Sequence, residues 1–161
     1  MRELELIDWI CRQSDFDPKR VPVGPGDDCA IVQLGSEQLL VTTDQVLDGV
    51  HVKLSEHGAE AVGRKAMARN LSDLAAMACI PLAATATVSL PRSADRKLAE
   101  GVYNGLRRLA DEFHCPLVGG DIAFWDGPLA VSVTAFGRRA GVTGGIEPVL
   151  RSGARAGNAL C

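Results

Sequence analysis

Five aspartates stand where the chain is expected to turn or to end an element, or inside an otherwise apolar helix. Two follow a Gly-Pro-Gly turn, one ends an apolar run, one lies in a helical segment and one follows a glycine pair: Asp27, Asp28, Asp44, Asp73 and Asp121. Mg²⁺ prefers carboxylate oxygens and leaves its remaining positions to water and substrate phosphates. The pattern therefore indicates a magnesium site that handles a nucleotide.

Each aspartate also has an ordinary structural interpretation. Asp27 and Asp28 are common turn formers, and Asp44 can simply mark the exit of a strand. Adjacent like charges repel, however, so the Asp27-Asp28 pair is easier to explain if a cation compensates it. A lone carboxylate in an apolar helix is costly, so Asp73 requires either a metal or a basic partner such as Arg69. Both interpretations stay open on these residues alone.

Several other residues give weaker signals. The run Gly119-Gly120-Asp121 follows an apolar segment and is typical of a turn that lets backbone N–H groups approach a phosphate. His51, Tyr103 and Arg151, taken singly, are equally well explained as strand, helix and loop residues. We find no Ser-His or Cys-His arrangement that would indicate a nucleophile.

Length and composition fit one ordinary globular domain. The chain has 161 residues, of which 47% are hydrophobic, and this is enough to bury one core. Its net charge of −3 gives no reason to expect a nucleic-acid partner. No run approaches the ~20 apolar residues that span a bilayer, so we expect a cytoplasmic protein without a membrane partner. The five cysteines form no C-x-x-C pair and are expected to be buried and reduced.

Hydrophobic periodicity predicts an α+β domain with helices on one face of a sheet. Helices are expected over residues 2–13, 59–78 and 98–113, the last with Ser93 as N-cap, and strands over 29–34, 39–43 (extended by 46–52), 83–90, 116–118 and 129–136. A loop over 14–26 leads to the paired aspartates, and Gly119-Gly120-Asp121 is expected to be a turn. Residues 151–161 look like a loop that leads into a strand cut short.

The joint order of the motifs resembles the N-terminal half of thiamine-monophosphate kinases. The order is Gly-Asp-Asp, Thr-Thr-Asp, Gly-Val-His, Asn-Leu-Ser-Asp-Leu-Ala-Ala-Met and Gly-Gly-Asp, and it covers essentially the whole chain. The resemblance implies the N-terminal domain of the aminoimidazole ribonucleotide synthetase-like fold, with a mixed sheet in two layers that dimerises through its strands. It implies an ATP/Mg-binding and dimerisation domain over 1–140, and a linker with the truncated start of a C-terminal domain over 141–161.

The same resemblance implies an enzyme that transfers the γ-phosphoryl of ATP to thiamine monophosphate, as a homodimer with several Mg²⁺ ions. The implied metal ligands are Asp28, Thr42, Thr43, Asp44, Asp73 and Asp121, with Asp27 as a supporting acceptor. The implied nucleotide contacts are Thr43, Gly120, Asp121, Arg151 and, from the neighbouring subunit, Tyr103, whereas His51 would contact the thiamine phosphate. No general base is expected, because the acceptor is already an oxyanion and metal ions with positioning supply most of the catalysis.

Two alternatives remain beside this expectation. The first keeps the fold but uses the phosphoryl acceptor of another member of the superfamily. The second is a non-catalytic Mg-nucleotide-binding dimerisation module, which the short chain favours. Pro25 and Ile122 depart from the family pattern without removing a carboxylate. Because the family's C-terminal half supplies much of the substrate pocket, the isolated chain is expected to bind without catalysing.

Overall fold

The computed structural model describes residues 2–140 and 147–159. The elements are α1 Glu3–Gln13, β1 Ala30–Leu34, β2 Glu37–Leu47, α2 Leu54–Ala76, β3 Cys79–Pro91, α3 Arg96–Glu112, β4 Leu117–Trp125, β5 Ala130–Arg139 and a short 3-10 helix, Arg151–Gly153. Their order confirms the predicted α+β class.

The described strands form one mixed sheet in the order β1-β2-β5-β3-β4. Strands β3 and β4 are parallel, and the other neighbours are antiparallel. Helix α2 packs on β2, β3 and β5 and against α3. On β5 the alternation is clear, because Val131, Val133 and Ala135 are fully buried toward the helices whereas Ser132 and Thr134 lie on the open face. The prediction of helices on one face of a sheet is confirmed.

The glycine pair was assigned wrongly to a turn. Gly119, Gly120 and Asp121 lie inside β4, where they pair in register with Thr85, Ala86 and Thr87 of β3. Glycine has a low strand propensity, so the segment carries little strand signal, and the parallel neighbour supplies the hydrogen bonds that keep it extended. The strand consequently runs well past residue 118, where the predicted strand ends.

Two helix starts also differ from the prediction. The N-cap of α3 is Asp95 rather than Ser93, and the Asp95 carboxylate accepts a hydrogen bond of 2.8 Å from the backbone N–H of Leu98. Helix α2 begins at Leu54, but Gly58 has a φ of 77° and breaks the regular helix there. The predicted start at residue 59 therefore coincides with the regular part of α2.

Three of the five cysteines confirm the expectation of buried, reduced thiols. Cys29, Cys79 and Cys115 are buried and free. Burial, assisted by nearby charges, raises the pKa of the Cys29 thiol to about 12, so this thiol stays neutral at physiological pH. Cys11 is only half-buried and contacts the carbonyl of Pro25, so its expected burial was wrong. The remaining cysteine, residue 161, lies outside the described residues.

Among the described residues, none of the helices combines the length and the apolarity that crossing a bilayer requires.

Two glycines let α2 and α3 cross at very short range. A Cβ added at Gly63 of α2 would lie 2.0 Å from the carbonyl oxygen of Val102, and one added at Gly105 of α3 would lie 2.0 Å from that of Glu60. Both contacts are with backbone, which has little freedom to move aside. The crossing therefore fixes the position of α2 over the sheet.

Gly105→Ala is expected to lower the free energy of unfolding by about 1–3 kcal/mol, because the added methyl overpacks the crossing. Helix propensity alone would give the opposite sign, a gain of up to ~1 kcal/mol. Urea unfolding measures the change, with the exposed Asn104→Ala of the same helix as the control. A Gly105→Ala variant as stable as the parent would contradict the close crossing.

Candidate functional site

Two of the predicted ligand carboxylates meet where α2 lies over β2. The hydroxyl of Thr42 donates a hydrogen bond of 2.6 Å to Oδ2 of Asp73. Asp44, two residues along the same strand, accepts two bonds from Arg69, at 2.6 Å from Nε and 2.8 Å from Nη2. Because alternate residues of a strand share one face, Thr42 and Asp44 both point toward α2.

The loop before β1 carries the paired aspartates, Asp27 and Asp28. Oδ1 of Asp28 accepts a bond of 2.5 Å from the guanidinium of Arg151, and Oδ2 of Asp27 accepts one of 3.2 Å from the Arg151 backbone N–H. Oδ1 of Asp27 also accepts from the backbone N–H of Asp28 at 3.0 Å. The segment that follows β5 thus returns to the acidic loop.

The surroundings of Asp73 shift its pKa, and two of the other carboxylates contribute to that shift. Burial raises the pKa of Asp73 above its ordinary value, and the hydrogen bond from Thr42 opposes that shift. The charges of Asp44 and Asp28 raise the same pKa further, whereas Arg69 lowers it. We call Asp28, Thr42, Asp44 and Asp73 the acidic cluster.

The donor chemistry of the acidic cluster fits a hard divalent cation. Its atoms are carboxylate and hydroxyl oxygens, and a bound cation would compensate both the burial of Asp73 and the nearby negative charges that raise its pKa. On α2, three residues before Asp73, the fully buried Asn70 has a side-chain oxygen without a hydrogen-bond partner among the described residues. Within the described ranges, however, no three His, Cys, Asp or Glu side chains already stand close enough to share one ion. Arginines compensate Asp28 and Asp44 instead.

His51 lies in the turn after β2, beside the acidic cluster. Its Nδ1 accepts a hydrogen bond of 3.1 Å from the backbone N–H of Leu47, so a neutral ring carries its proton on Nε2. The carbonyl of His51 accepts a bond from the ammonium of Lys65. Lys65 in turn lines one shallow cavity of about 370 Å³ with Asp44 and Asp73.

Thr43 faces away from the acidic cluster. Its hydroxyl donates to the carbonyl of Val133 at 3.2 Å and accepts from the hydroxyl of Thr134 at 3.1 Å, on the open face of the sheet. The Thr43 side chain is thus separated from the acidic cluster by the strand itself.

Three of the predicted nucleotide contacts meet in a second place. A cavity of about 530 Å³ opens between α3 and β4, and Tyr103, Gly120 and Asp121 all line it. Most of the other lining residues are apolar: Ala86, Val88, Leu90, Ala99, Leu106, Leu117 and Ile122, with Gly119. A Cβ at Gly120 would lie 1.9 Å from the carbonyl oxygen of Ala86, so this close approach of β4 to β3 requires glycine.

Asp121 does not join the acidic cluster within one chain. The register places it in a row with Thr87, Ser132 and Gln45, on β4, β3, β5 and β2 in turn. Three strand spacings of 4.7–4.9 Å amount to about 14 Å between Asp121 and the strand that carries Asp44. Arg151, expected at the nucleotide, lies at Asp28 instead.

The sequence pointed to Arg69 as a cation of this site but not to the carboxylate that it binds. Arg69 was considered as a partner for Asp73, one turn away on the same helix, but its two hydrogen bonds go to Asp44 across the α2–β2 interface. The spacing of Lys65 and Arg69, four residues apart on α2, was a signal that both would face the same cavity.

Comparisons with known proteins identify the family of the chain. The family model described as AIR synthase related protein, N-terminal domain, matches residues 26–139, a range that contains the whole acidic cluster. The chain belongs to this family. The family segment runs from the acidic loop to the end of β5.

Relatives named thiamine-monophosphate kinase resemble the chain over most of its length. The protein of Rhodopirellula baltica is 38% identical over 149 residues, which cover 88% of this chain and 45% of the relative. That of Mycobacterium tuberculosis is 35% identical over 161 residues, which cover 98% and 46%. A solved structure described as "AaThiL complexed with AMPPCP and TMP" is 33% identical, with a TM-score of 0.80 over 96% of this chain and 47% of that one. The chain spans about half the length of the curated relatives it matches.

Asp73→Asn is expected to raise the melting temperature of the metal-free protein at pH 7 by a few degrees. Asp73 has a raised pKa, so the folded state holds the proton more tightly than the unfolded state does. Stability is therefore lost as pH rises from the ordinary value of 3.8 through the folded pKa, and Asn removes that loss.

Thermal unfolding between pH 4 and pH 8 in the presence of EDTA measures the effect, which should shrink toward pH 4. Asp111→Asn, at an exposed position of α3, is the matched control and should give no such gain. A variant less stable than the parent at pH 7 would show that folding does not raise the pKa of the Asp73 carboxyl.

Proposed function

We propose that the chain is the N-terminal part of a cytoplasmic thiamine-monophosphate kinase, which transfers the γ-phosphoryl of ATP to thiamine monophosphate. The observation that carries the proposal is the pairing of Asp44 and Asp73 at the α2–β2 interface, with Asp28 of the preceding loop near enough for its charge to act on Asp73. The names of the relatives and the AMPPCP and TMP in the similar solved structure support the choice of substrates.

The acidic cluster would hold Mg²⁺. Asp28, Asp44 and Asp73 would supply carboxylate oxygens, with Thr42 and the backbone at Thr43 beside them. Bound Mg²⁺ neutralises phosphate charge and aligns donor and acceptor for in-line transfer. The chain's own residues hold the ions and orient the acceptor, and no side chain has to remove a proton from it.

His51 would orient the acceptor phosphate. Its carbonyl is bonded to Lys65, and Lys65 lines the same cavity as Asp44 and Asp73, so the His51 turn stands at the margin of the proposed metal site. With Nδ1 accepting from Leu47, the protonated Nε2 is a hydrogen-bond donor suited to a phosphate oxygen.

The cavity between α3 and β4 would receive the nucleotide. Its largely apolar lining suits a base, and Gly120 brings backbone close to the ligand beside Asp121. This cavity and the acidic cluster lie on different parts of the sheet. A homodimer would therefore complete the site, because Tyr103 and Asp121 of one copy would approach the acidic cluster of the other. Arg151 would then leave Asp28 and meet the nucleotide phosphates.

Strand β4 would form the dimer interface. Among the described strands it pairs only with β3, so its other edge carries unpaired backbone groups. It also exposes four large apolar side chains, Val118, Ile122, Phe124 and Trp125. An apolar strand edge of this kind favours association with a second copy.

Sedimentation in the micromolar range is therefore expected to show a dimer, and Phe124→Lys to shift it toward monomer. Leu34→Lys is the matched control, because Leu34 is equally exposed, on the opposite edge strand of the sheet. A monomeric parent protein would contradict the proposed assembly.

The metal assignment is tested on the chain itself. Asp73→Asn should weaken Mg-ATP binding about tenfold or more, since it removes a charged ligand, while Asp111→Asn should leave it unchanged. Titration calorimetry measures both affinities. Equal affinities of Asp73→Asn and the parent would remove the acidic cluster from the metal site.

The acceptor is tested after fusion of the chain to the C-terminal half of the Rhodopirellula baltica relative. ADP release should depend on thiamine monophosphate, thiamine diphosphate should form, and Asp73→Asn should abolish both. The intact relative serves as the positive control. Release of ADP with another acceptor of the superfamily would support the alternative acceptor, and nucleotide binding without turnover would support a binding module.

A further inference from the structure

Arg69 occupies both carboxylate oxygens of Asp44. Its Nε lies 2.6 Å from Oδ2 and its Nη2 lies 2.8 Å from Oδ1, which is the bidentate geometry that makes an arginine–carboxylate pair strong. Oδ1 also accepts a bond of 3.1 Å from the backbone N–H of Gln45. A metal ion can thus reach Asp44 only if the guanidinium releases an oxygen or shares one.

The pair is shielded more than an ordinary surface ion pair. The side chains of Arg69 and Asp44 are 38% and 24% exposed, compared with 90% and 56% for Arg96 and Glu100 on α3. Water screens the Arg69–Asp44 attraction less, so the guanidinium has a stronger hold on its carboxylate.

We propose that Arg69 is the built-in counter-cation of the acidic cluster and competes with the divalent ion for Asp44. This inference rests on the proposed function, because it requires that Mg²⁺ binds at the acidic cluster. Arg69 is a positioning residue in this role: it acts through Asp44 and holds that carboxylate in place until the metal arrives.

The charges of the cluster explain why such a cation is needed. Asp44 and Asp28 act unfavourably on the half-buried Asp73, and Arg69 offsets part of that repulsion. Asp28 has an equivalent partner in Arg151, but that arginine is largely exposed and lies on the segment after β5. Arg69 belongs to α2, whose backbone is anchored by the crossing with α3, so the helix holds the Arg69 backbone over Asp44.

A purely structural ion pair would behave differently from a competitor. If Arg69 only holds Asp44 in place, its loss leaves Asp44 less ordered and should weaken metal binding or leave it unchanged. Loss of a competitor frees both carboxylate oxygens and removes a positive charge next to the ion, so metal binding should become tighter. The two roles therefore predict opposite signs for the same substitution.

Titration with Mg²⁺ alone, at low ionic strength, separates the two roles. Arg69→Met keeps the aliphatic stem and should bind Mg²⁺ about tenfold more tightly than the parent, because a nearby like charge is lost. Without metal the variant should melt at a lower temperature, and the increase in melting temperature on adding Mg²⁺ should be larger. Arg96→Met, which breaks the exposed pair on α3, should change none of these three quantities.

Arg69→Lys is a second variant that keeps the inference testable if Arg69→Met does not fold. It keeps the charge but loses the planar fork, so its Mg²⁺ affinity should lie between those of the parent and of Arg69→Met. Unchanged or weaker Mg²⁺ binding by both variants, with normal binding by the parent, would overturn the inference and leave the proposed metal site intact. A parent protein whose Mg²⁺ binding is absent, or insensitive to Asp73→Asn, would overturn both.

Discussion

The unfavourable surroundings of the Asp73 carboxylate are the constraint on which the candidate site depends. Asp28, Asp44 and Asp73 come from a loop, a strand and a helix, and burial of Asp73, together with the charges of the other two, raises its pKa. An arrangement chosen for stability alone would separate these charges or replace one of them. The chain instead places an arginine on each of two members, Arg69 on Asp44 and Arg151 on Asp28, and these arginines offset part of the negative charge.

The rest of the fold holds this unfavourable arrangement in position. Strand β2 contributes Thr42 and Asp44 on alternate positions of its helix-facing side, so a single strand sets the distance between hydroxyl and carboxylate. Helix α2 contributes Asp73 and cannot slide away, because Gly63 and Gly105 lock it to α3. Free energy from the core and from the helix crossing therefore offsets the cost of assembling the site.

Much of the fold could be predicted from the sequence because it depends on local periodicity. The spacing of apolar residues predicted the helices and most of the strands. The length of β4 was underestimated, because Gly119 and Gly120 have a low strand propensity. Pairing with β3 keeps them extended. The acidic residues of the site and Arg69 were found by their residue types, but the pairing of Arg69 with Asp44 and of Arg151 with Asp28 was not. Whether Arg69 meets Asp44 or Asp73 depends on how α2 lies across β2, and no local pattern encodes that placement.

The two candidate subsites, the acidic cluster and the cavity of Tyr103 and Asp121, are separated within one chain. Within one chain, Asp121 lies about 14 Å across the sheet from the strand of Asp44, further than a shared ion can reach. The cavity of Tyr103 and Asp121 lies at the β4 side of the sheet, where unpaired backbone and apolar side chains favour association with a second copy. In the proposed homodimer, assembly of the site and assembly of the dimer would be the same event, because the surface that buries apolar area would also bring the cavity of Tyr103 and Asp121 to the acidic cluster of the other copy.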